Sequence, residues 1–416
     1  MKVGFIVLFG ATLILLAQGQ DDDDDGGYAE LTEGIEKFSL ELWQRLAIWV
    51  EPRHDDSYML ASFSVWAIML VLYVGAEGRT RTQLRDSLGI TVDEEEMNEF
   101  YRDRRILINT TTPEMVVHTL QNLYYDRNYH IDQQYRSVVL ENGTTPWPLA
   151  FSQNIVRIND DIKYETSGFI KQRYEQRNIS GARMLLLSAI YFKAKWKYPF
   201  DKKLTKKEPF YSEEDGKQLS KMPMMVQTGK FAYVDDIDEL DARVLELPYG
   251  KKGLVMLVML PTNGAKITDT VNQLRYMGMS PVLDALKKRT TKNKEVEVKI
   301  PKFDTYTRYY LTKFLSEIGI VDVVDSYKAD LYRMTSDTHN GVRMSLSNCN
   351  QFSRIVVDEE GIKGSTPRPA PKNKTGVVKF HLNKPFVYVI FEKEKNLMLY
   401  VGAVRNLTTE PATLER

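Results

Sequence analysis

The sequence predicts an α+β fold built on large, mostly antiparallel β-sheets, and three observations carry that prediction. Apolar residues recur at helical spacing through residues 28–89, continuous apolar runs take over after residue 184, and strands and helices do not alternate as βαβ units require.

The opening is helical because Leu31, Ile35, Phe38, Leu42 and Leu46 fall three and four apart, one stripe of a helix that starts at Tyr28 and is ended by Pro52. A second helix covers residues 64–75, strongly apolar and followed by Glu77 and Arg79, which fits a buried core helix. A third starts at Thr80 as N-cap and stops at Gly89. Residues 115–125 are rich in β-forming side chains, and residues 184–192 (MLLLSAIYF) form an unbroken apolar run, the pattern of a strand covered on both faces. Further strands are expected at 231–234, 244–247, 253–260, 296–300, 354–357, 387–391 and 397–404, with one helix at about 307–318 among them. There is no internal repeat.

The 416 residues hold 56 Lys+Arg and 56 Asp+Glu, so no net field draws the chain to nucleic acid or an acidic membrane. With 43% apolar and 27% charged residues it is neither disordered, collagen-like nor a multi-span membrane protein. Residues 1–19 read as a secretory signal: Lys2 supplies the positive end, residues 5–17 are apolar but too short to span a bilayer comfortably, and Ala17-Gln18-Gly19 has small residues at cleavage spacing. The expected location is extracellular. Residues 20–27 form an acidic, solvated tail, residues 28–410 a single domain, and residues 411–416 a C-terminal tail. Cys349 is the sole cysteine, so no intramolecular disulfide exists and packing must supply the stability. Sequons begin at Asn109, Asn142, Asn178, Asn373 and Asn406, each implying a surface position where it is used.

Nothing in the pattern supports an enzyme, a cofactor or a metal. The five histidines (His54, His118, His130, His339, His381) lack ligand spacing, and neither a G-x-S-x-G elbow nor a glycine-rich phosphate loop occurs. His118 sits beside Val116 and Val117 in an expected strand, which fits a structural histidine, and Cys349 has no evident base. Basic clusters at 193–207 and 287–294 read as solvated faces unless a glycosaminoglycan binds there. The segment 361–374 (GIKGSTPRPAPKNK) differs from everything around it, with three prolines, two glycines and four basic residues, and reads as an exposed functional loop between two strands.

Along residues 28–407 the chain resembles the serpin family. The resemblance rests on residues 380–390 (FHLNKPFVYVI), 63–83 (FSVWAIMLVLYVGAEGRTRTQ), 188–200 (SAIYFKAKWKYPF), 221–227 with Phe231 and Tyr233, 245–249 (LELPY), 298–303 (VKIPKF) and 357–361 (VDEEG). The Phe-Ser-Val-Trp start of the second of these looks like arthropod members. It implies three sheets, eight or nine helices and an exposed reactive-centre loop at 361–379. In inhibitory members a target protease cleaves this loop and is trapped as an acyl-enzyme while the loop inserts into the main sheet, a known case of strand addition.

Insertion makes demands on chemistry. With Gly361 at the family's hinge glycine, after Glu359 and Glu360, Lys363 follows Ile362 and the inward positions are Ile362, Gly364, Thr366 and Arg368, where inhibitory members carry small residues. Pro367, Pro369 and Pro371 have no N–H to give a ladder, each unmet partner costs about 1–3 kcal/mol, and an unpaired buried Arg368 costs several more. The resemblance puts the scissile bond near Lys374–Thr375 or Thr375–Gly376, with Lys372 and Lys374 attractive to trypsin-like enzymes. It also marks departures where the sheet must open: the family's Ser-Pro is Ala61-Ser62, its Asn is Ser188, its His is Gln351, and its helix-borne Trp is Asp161, while Ser64 lies near and Trp196 is kept. The favoured reading is a secreted serpin-fold protein that presents its loop to an extracellular partner without trapping proteases. The alternative is an inhibitor of trypsin-like serine proteases.

Overall fold

The computed structural model of the protein describes residues 28–51, 57–152, 154–171, 174–175, 179–237, 239–289, 295–363, 365, 376–406 and 412–413. The signal and acidic segments, Asn178, Asn373, Gly364 and loop residues 366–375, including Thr366, Pro367, Arg368, Pro369, Pro371, Lys372, Lys374 and Thr375, lie outside these.

Helix α1 (Ala29–Val50) buries the predicted stripe, with Leu31, Ile35, Phe38, Leu42 and Leu46 at most 1% exposed. After the short strand β1 (Tyr58–Leu60), α2 (Ser62–Gly75) is buried on every side, as a helix with no polar face must be. Helix α3 (Gly78–Leu88) ends at Gly89, which takes φ +66° and lies so close to Gly34 of α1 that a Cβ would stand 2.3 Å from its Cα. Thr80 lies inside this helix, after the N-cap Glu77, where its hydroxyl accepts the Asp330 N–H instead of capping.

Helix α4 (Glu94–Arg104), strand β2 (Met115–Asp126), helix α5 (Gln133–Glu141), strand β3 (Thr145–Leu149), helix α6 (Ile155–Glu165) and strand β4 (Met184–Ala194) follow. Then come β5 (Lys206–Tyr211), β6 (Gln218–Gly229), β7 (Tyr233–Ile237), β8 (Ala242–Pro248) and β9 (Leu254–Pro261), helices α7 (Ile267–Met277) and α8 (Ser280–Arg289), and β10 (Val296–Pro301) and β11 (Phe303–Tyr310). Helix α9 (Thr312–Glu317), a two-stranded ribbon of β12 (Thr338–His339) and β13 (Val342–Arg343), and β14 (Asn348–Val357) lead to β15 (Val378–His381), β16 (Phe386–Glu392), β17 (Leu397–Val404) and the short β18 (Ala412–Thr413). The expected strands are present within a few residues, and β17 coincides with residues 397–404.

Two expectations fail. Residues 307–310 are not helix but the end of β11, where Phe303, Thr305, Thr307 and Tyr309 are buried and the residues between them are not. The helix there is only α9. The strands also hold more than the one helix expected among them, because α5 to α8 stand there too; α4 was readable from its capping box, Asp93 with Glu96, and α7 from Ile267, Val271 and Leu274.

The main sheet runs β18-β11-β14-β4-β2-β3, a second β1-β17-β16-β9-β8-β7 and a third β15-β10-β6-β5. Most pairings are antiparallel, as expected, but the two central strands β4 and β14 run parallel in unbroken register from Leu185↔Asn348 to Lys193↔Val356. Both faces of this centre are covered. Leu186, Ile190 and Phe192 join the large core shared with α1, α2 and the second sheet, whereas Leu185, Leu187, Ala189 and Phe352 pack in a second core with Ile158 and Ile162 of α6.

Candidate functional site: the hinge and the sheet it would enter

The chain after β14 is fastened to the end of β4. The Trp196 N–H donates to Glu360 O (2.9 Å), Trp196 O accepts the Ile362 N–H (3.1 Å), Trp196 Nε1 donates to Asp358 O (2.7 Å), and the Phe200 N–H donates to Glu359 O (3.1 Å). Trp196 is itself held flat against Tyr249, centroids 4.5 Å apart. Gly361 bridges to Trp196, five residues beyond Val356 where Trp196 is three beyond Lys193, so the hinge has left the β4–β14 register by two residues.

Two glycines make the seat. A Cβ on Gly361 would lie 2.5 Å from Pro199 Cβ, and a Cβ on Gly250 would lie 2.0 Å from Ile362 Cγ2, so the Ile362 methyl fills the notch that Gly250 leaves. Lys363 is exposed and Ser365 folds back, its N–H and hydroxyl both donating to Ile362 O (3.1 and 2.6 Å). Gly376 takes φ +86°, a left-handed turn immediately before β15.

Charge reinforces the seat. Lys193 Nζ reaches Asp358 Oδ2 (2.8 Å) and Glu360 Oε2 (3.2 Å). Burial opposes that ammonium, but the two carboxylates outweigh it and its pKa is raised. Glu359, 5% exposed, accepts from Lys302 Nζ (2.8 Å) and Thr205 Oγ1 (3.0 Å). Burial pushes its carboxyl up; Lys302, a backbone N–H and Thr205 together overcome that, and the pKa falls below its ordinary 4.5. A depressed carboxyl contributes stability that is complete above its unfolded pKa and is lost as the pH falls through the folded one. Acidification from pH 5 to pH 3 is therefore expected to raise the rate of proteolysis at the hinge, and Lys302→Ala to abolish most of that pH dependence.

Beneath the hinge, the sheet-opening positions form a buried polar network. Gln351 of β14 accepts the Ala61 N–H at Oε1 (2.8 Å) and donates Nε2 to Ala61 O (3.0 Å), so one amide holds the N-terminus of α2 against the sheet. Ser353 donates to the same Oε1 (3.1 Å). Ser64 and Ser188 share a hydrogen bond of 2.9 Å between α2 and β4. Gln121 of β2 donates Nε2 to Ser64 Oγ (3.1 Å) and accepts from Tyr101 OH at Oε1 (3.0 Å), which carries the chain to α4.

Ser188, Gln351 and Ser64, the polar residues noted at these positions, all take part in the network, and Gln121 and Tyr101 extend it. Gln121 and Tyr101 were missed. The signal for Gln121 is its parity, since Val117, Leu123 and Tyr125 of the same strand enter the large core and a glutamine among them needs partners. Asp161, where the resemblance expects a Trp, docks α6 by accepting from Tyr124 OH (2.8 Å) and pairing with Arg157 (2.9 Å).

Other positions resolve individually. Cys349 is 1% exposed, more deeply placed than the partly buried residue expected, and burial pushes its thiol up to about 12. It is expected to stay inert to iodoacetamide in the folded protein and to react fully once unfolded, as counted by mass spectrometry. Asn109 is exposed and Asn406 half-buried, but Asn142 is 5% exposed with its Nδ2 donated to Asn98 Oδ1 (2.7 Å), so the surface position its sequon implied is not found. His118 is half-buried and stacks on Phe169 at 5.6 Å. Among the described residues no helix is long and apolar enough to cross a membrane.

A central parallel strand pair, a fastened hinge and a third sheet entered just after Gly376 are the geometry of a chain with a loop between its main and third sheets. The sequence profile described as "Serpin (serine protease inhibitor)" matches residues 33–407, and the chain belongs to the serpin family. It is 26% identical to human Serpin B9 over 86% of this chain and 95% of that protein. Intracellular coagulation inhibitor 2 of Tachypleus tridentatus is 25% identical, over 92% of both chains. In structure it is similar to serpin-12 of Manduca sexta, with a TM-score of 0.78 at 19% identity over 91% of this chain and 99% of that one. Uncleaved ovalbumin superposes with a TM-score of 0.75 at 21% identity over 90% and 99%. The family is described by protease inhibition and not by catalysis, and serine proteases are the partners its members generally bind.

Proposed function

We propose that this is a secreted serpin-fold protein that presents its basic, proline-rich loop to an extracellular partner and does not trap proteases. One observation carries the reading: the slot an inserting loop must enter lies between β4 and β14, packed on both faces, while the loop has prolines at 367, 369 and 371. Successive residues of a strand direct their N–H groups to opposite neighbours. Prolines two apart therefore all withhold donors from the same flanking strand, which must give up its present partner to admit them. Arg368 would enter between two of them, and neither β4 nor β14 carries an Asp or Glu to meet it.

The alternative, inhibition of trypsin-like proteases by cleavage near Lys372 to Gly376, draws on the relatives, since human leukocyte elastase inhibitor is 26% identical over 90% of this chain. Incubation with trypsin separates the two. The proposal expects a nicked chain on a denaturing gel and no band at the summed mass; a stable complex resistant to boiling in detergent would establish the alternative. Secretion follows from residues 1–19, and Edman sequencing of the exported chain should begin near Gln20. Glycans at Asn109, Asn178, Asn373 and Asn406 would accompany export; one on Asn373 would stand beside the candidate scissile bond.

A further inference from the structure

The main sheet is bounded by β3 on one side and by β11 with β18 outside it on the other, and the sequence treats these two edges differently. Strand β3 (TPWPL) carries Pro146 and Pro148, which offer no N–H to an arriving strand, a common protection of a sheet edge. Strand β11 (FDTYTRYY) has neither proline nor lysine, and six of its eight residues are Thr, Tyr or Phe, side chains that favour a sheet. Its cover comes from the far end of the chain: β18 pairs with it in parallel, Ala412 opposite Thr307 and Thr413 opposite Arg308. We propose that the outer edge of β11 is a strand-docking surface whose resident is this chain's own C-terminal segment, and that displacing the segment opens the surface to the same edge of a second copy.

The edge is well formed. Strand β11 pairs with β14 in unbroken register from Phe303↔Val357 to Tyr310↔Asn350, so alternate residues along its whole length direct their N–H and C=O groups away from β14 as a regular row. Side chains hold the strand in place: Thr307 is fully buried and donates its hydroxyl to Met59 O (2.8 Å), and Tyr306 OH donates to Phe169 O (2.7 Å). A straight, β-prone edge that cannot turn aside is a template for another strand. The bridges of β18 fall at its middle, leaving residues 303–306 on one side and 309–310 on the other, whereas strands are mostly about five or six residues long. The family profile ends at residue 407, so the segment that supplies this cover lies outside the family match.

Tethering decides which strand occupies the edge. A segment joined to the same chain docks at an effective concentration far above that of a second copy, so the intact chain covers itself. Without the segment, β11 pairs antiparallel with β11 of a second copy, which satisfies both outward rows at once. Such a contact uses the same surface on both partners and closes as a dimer instead of growing into a filament. The inference holds whether or not the loop inserts.

The test compares the full chain with a chain ended after Thr408, which keeps the Asn406 sequon, by sedimentation velocity at rising concentration. The full chain should stay monomeric and the shortened chain should pass from monomer to dimer. A synthetic peptide of residues 409–416 (TEPATLER) should bind the shortened chain at one site, return it to monomer, and leave the full chain unbound. Ala412→Pro with Thr413→Pro, which keeps the length and removes both N–H groups, should behave as the shortened chain does. In dilute monomer, amides around Thr307 and Arg308 should exchange about tenfold faster in both variants than in the full chain, the loss of one ladder hydrogen bond. A shortened chain that neither binds the peptide nor exchanges faster in β11 would overturn the docking surface. One that stays monomeric, or whose dimer the peptide does not dissolve, would overturn the pairing with a second copy, and equal dimerisation of the full chain would overturn the covering role of its C-terminal segment.

Discussion

On the proposed reading, replacing Pro367, Pro369 and Pro371 by Ala, Arg368 by Ala and Ile362 by Thr is expected to turn a loop unfit for insertion into one that inserts. In the parent chain, cleavage within residues 372–376 should leave the thermal midpoint where it was, because the nicked loop has no strand to become. In the five-fold variant the same cleavage should raise it steeply. The magnitude follows from the ladder: three restored donors are worth about 1–3 kcal/mol each against unmet carbonyls, and removing a buried guanidinium adds several more. Ile362→Thr alone keeps the Cγ2 methyl over Gly250 but removes Cδ1 and puts a hydroxyl where Cγ1 stood, so the intact variant should be slightly less stable than the parent. Calorimetry on four samples, parent and variant, intact and nicked, decides it. Unchanged midpoints in the nicked variant would mean that the prolines and Arg368 are not what blocks insertion.

The second large effect lies at Gln351. Its amide satisfies both the N–H and the C=O of Ala61 at a place where Ala61, Gln351 and Ser353 are all 0% exposed. Gln351→Leu keeps the bulk and removes both partners. Ala61 O keeps the Val65 N–H, but the Ala61 N–H and the Ser353 hydroxyl both lose their acceptor, a loss of about 2–6 kcal/mol, readable as a fall in the denaturant midpoint at constant slope. Ser64 and Ser188 give the contrast. Ser188→Ala alone should cost about 1 kcal/mol, whereas Ser64→Ala with Ser188→Ala should cost less than the sum of the singles, because removing both members leaves nothing unmet between them. Additive losses would show that the Ser64–Ser188 contact carries no energy of its own.

How much of this was legible in the sequence depends on what each residue does. The buried helices α1 and α2 and the strands β4, β9, β16 and β17 declare themselves through apolar content alone, since burial fixes both their period and their composition. Strand β14 was seen only from residue 354 onward because its earlier half, with Asn348, Asn350, Gln351 and Ser353, is polar and yet largely buried. The same cause hid the network. Ser188 and Gln351 stood out only against the family's usual residues. The further partners, Gln121 and Tyr101, sit on other elements, and only the tertiary arrangement brings them within 3.1 Å of each other or of Ser64. The seat of Ile362 was illegible for a similar reason: Gly250 follows a tyrosine in an ordinary turn, and nothing local tells that its missing side chain receives a methyl from more than a hundred residues away. The chemistry of the loop was the reverse case, since proline and arginine carry their consequences in any setting.

The most direct measurement is a crystal structure of the chain nicked within residues 372–376. Neighbouring strands stand about 4.8 Å apart, and a strand admitted between two others doubles that distance. The account predicts that β4 and β14 remain adjacent, with Gln351 still opposite Ser188 and Ile362 still over Gly250. Strands β4 and β14 some 9.6 Å apart, with the proline-bearing segment hydrogen-bonded between them, would contradict it.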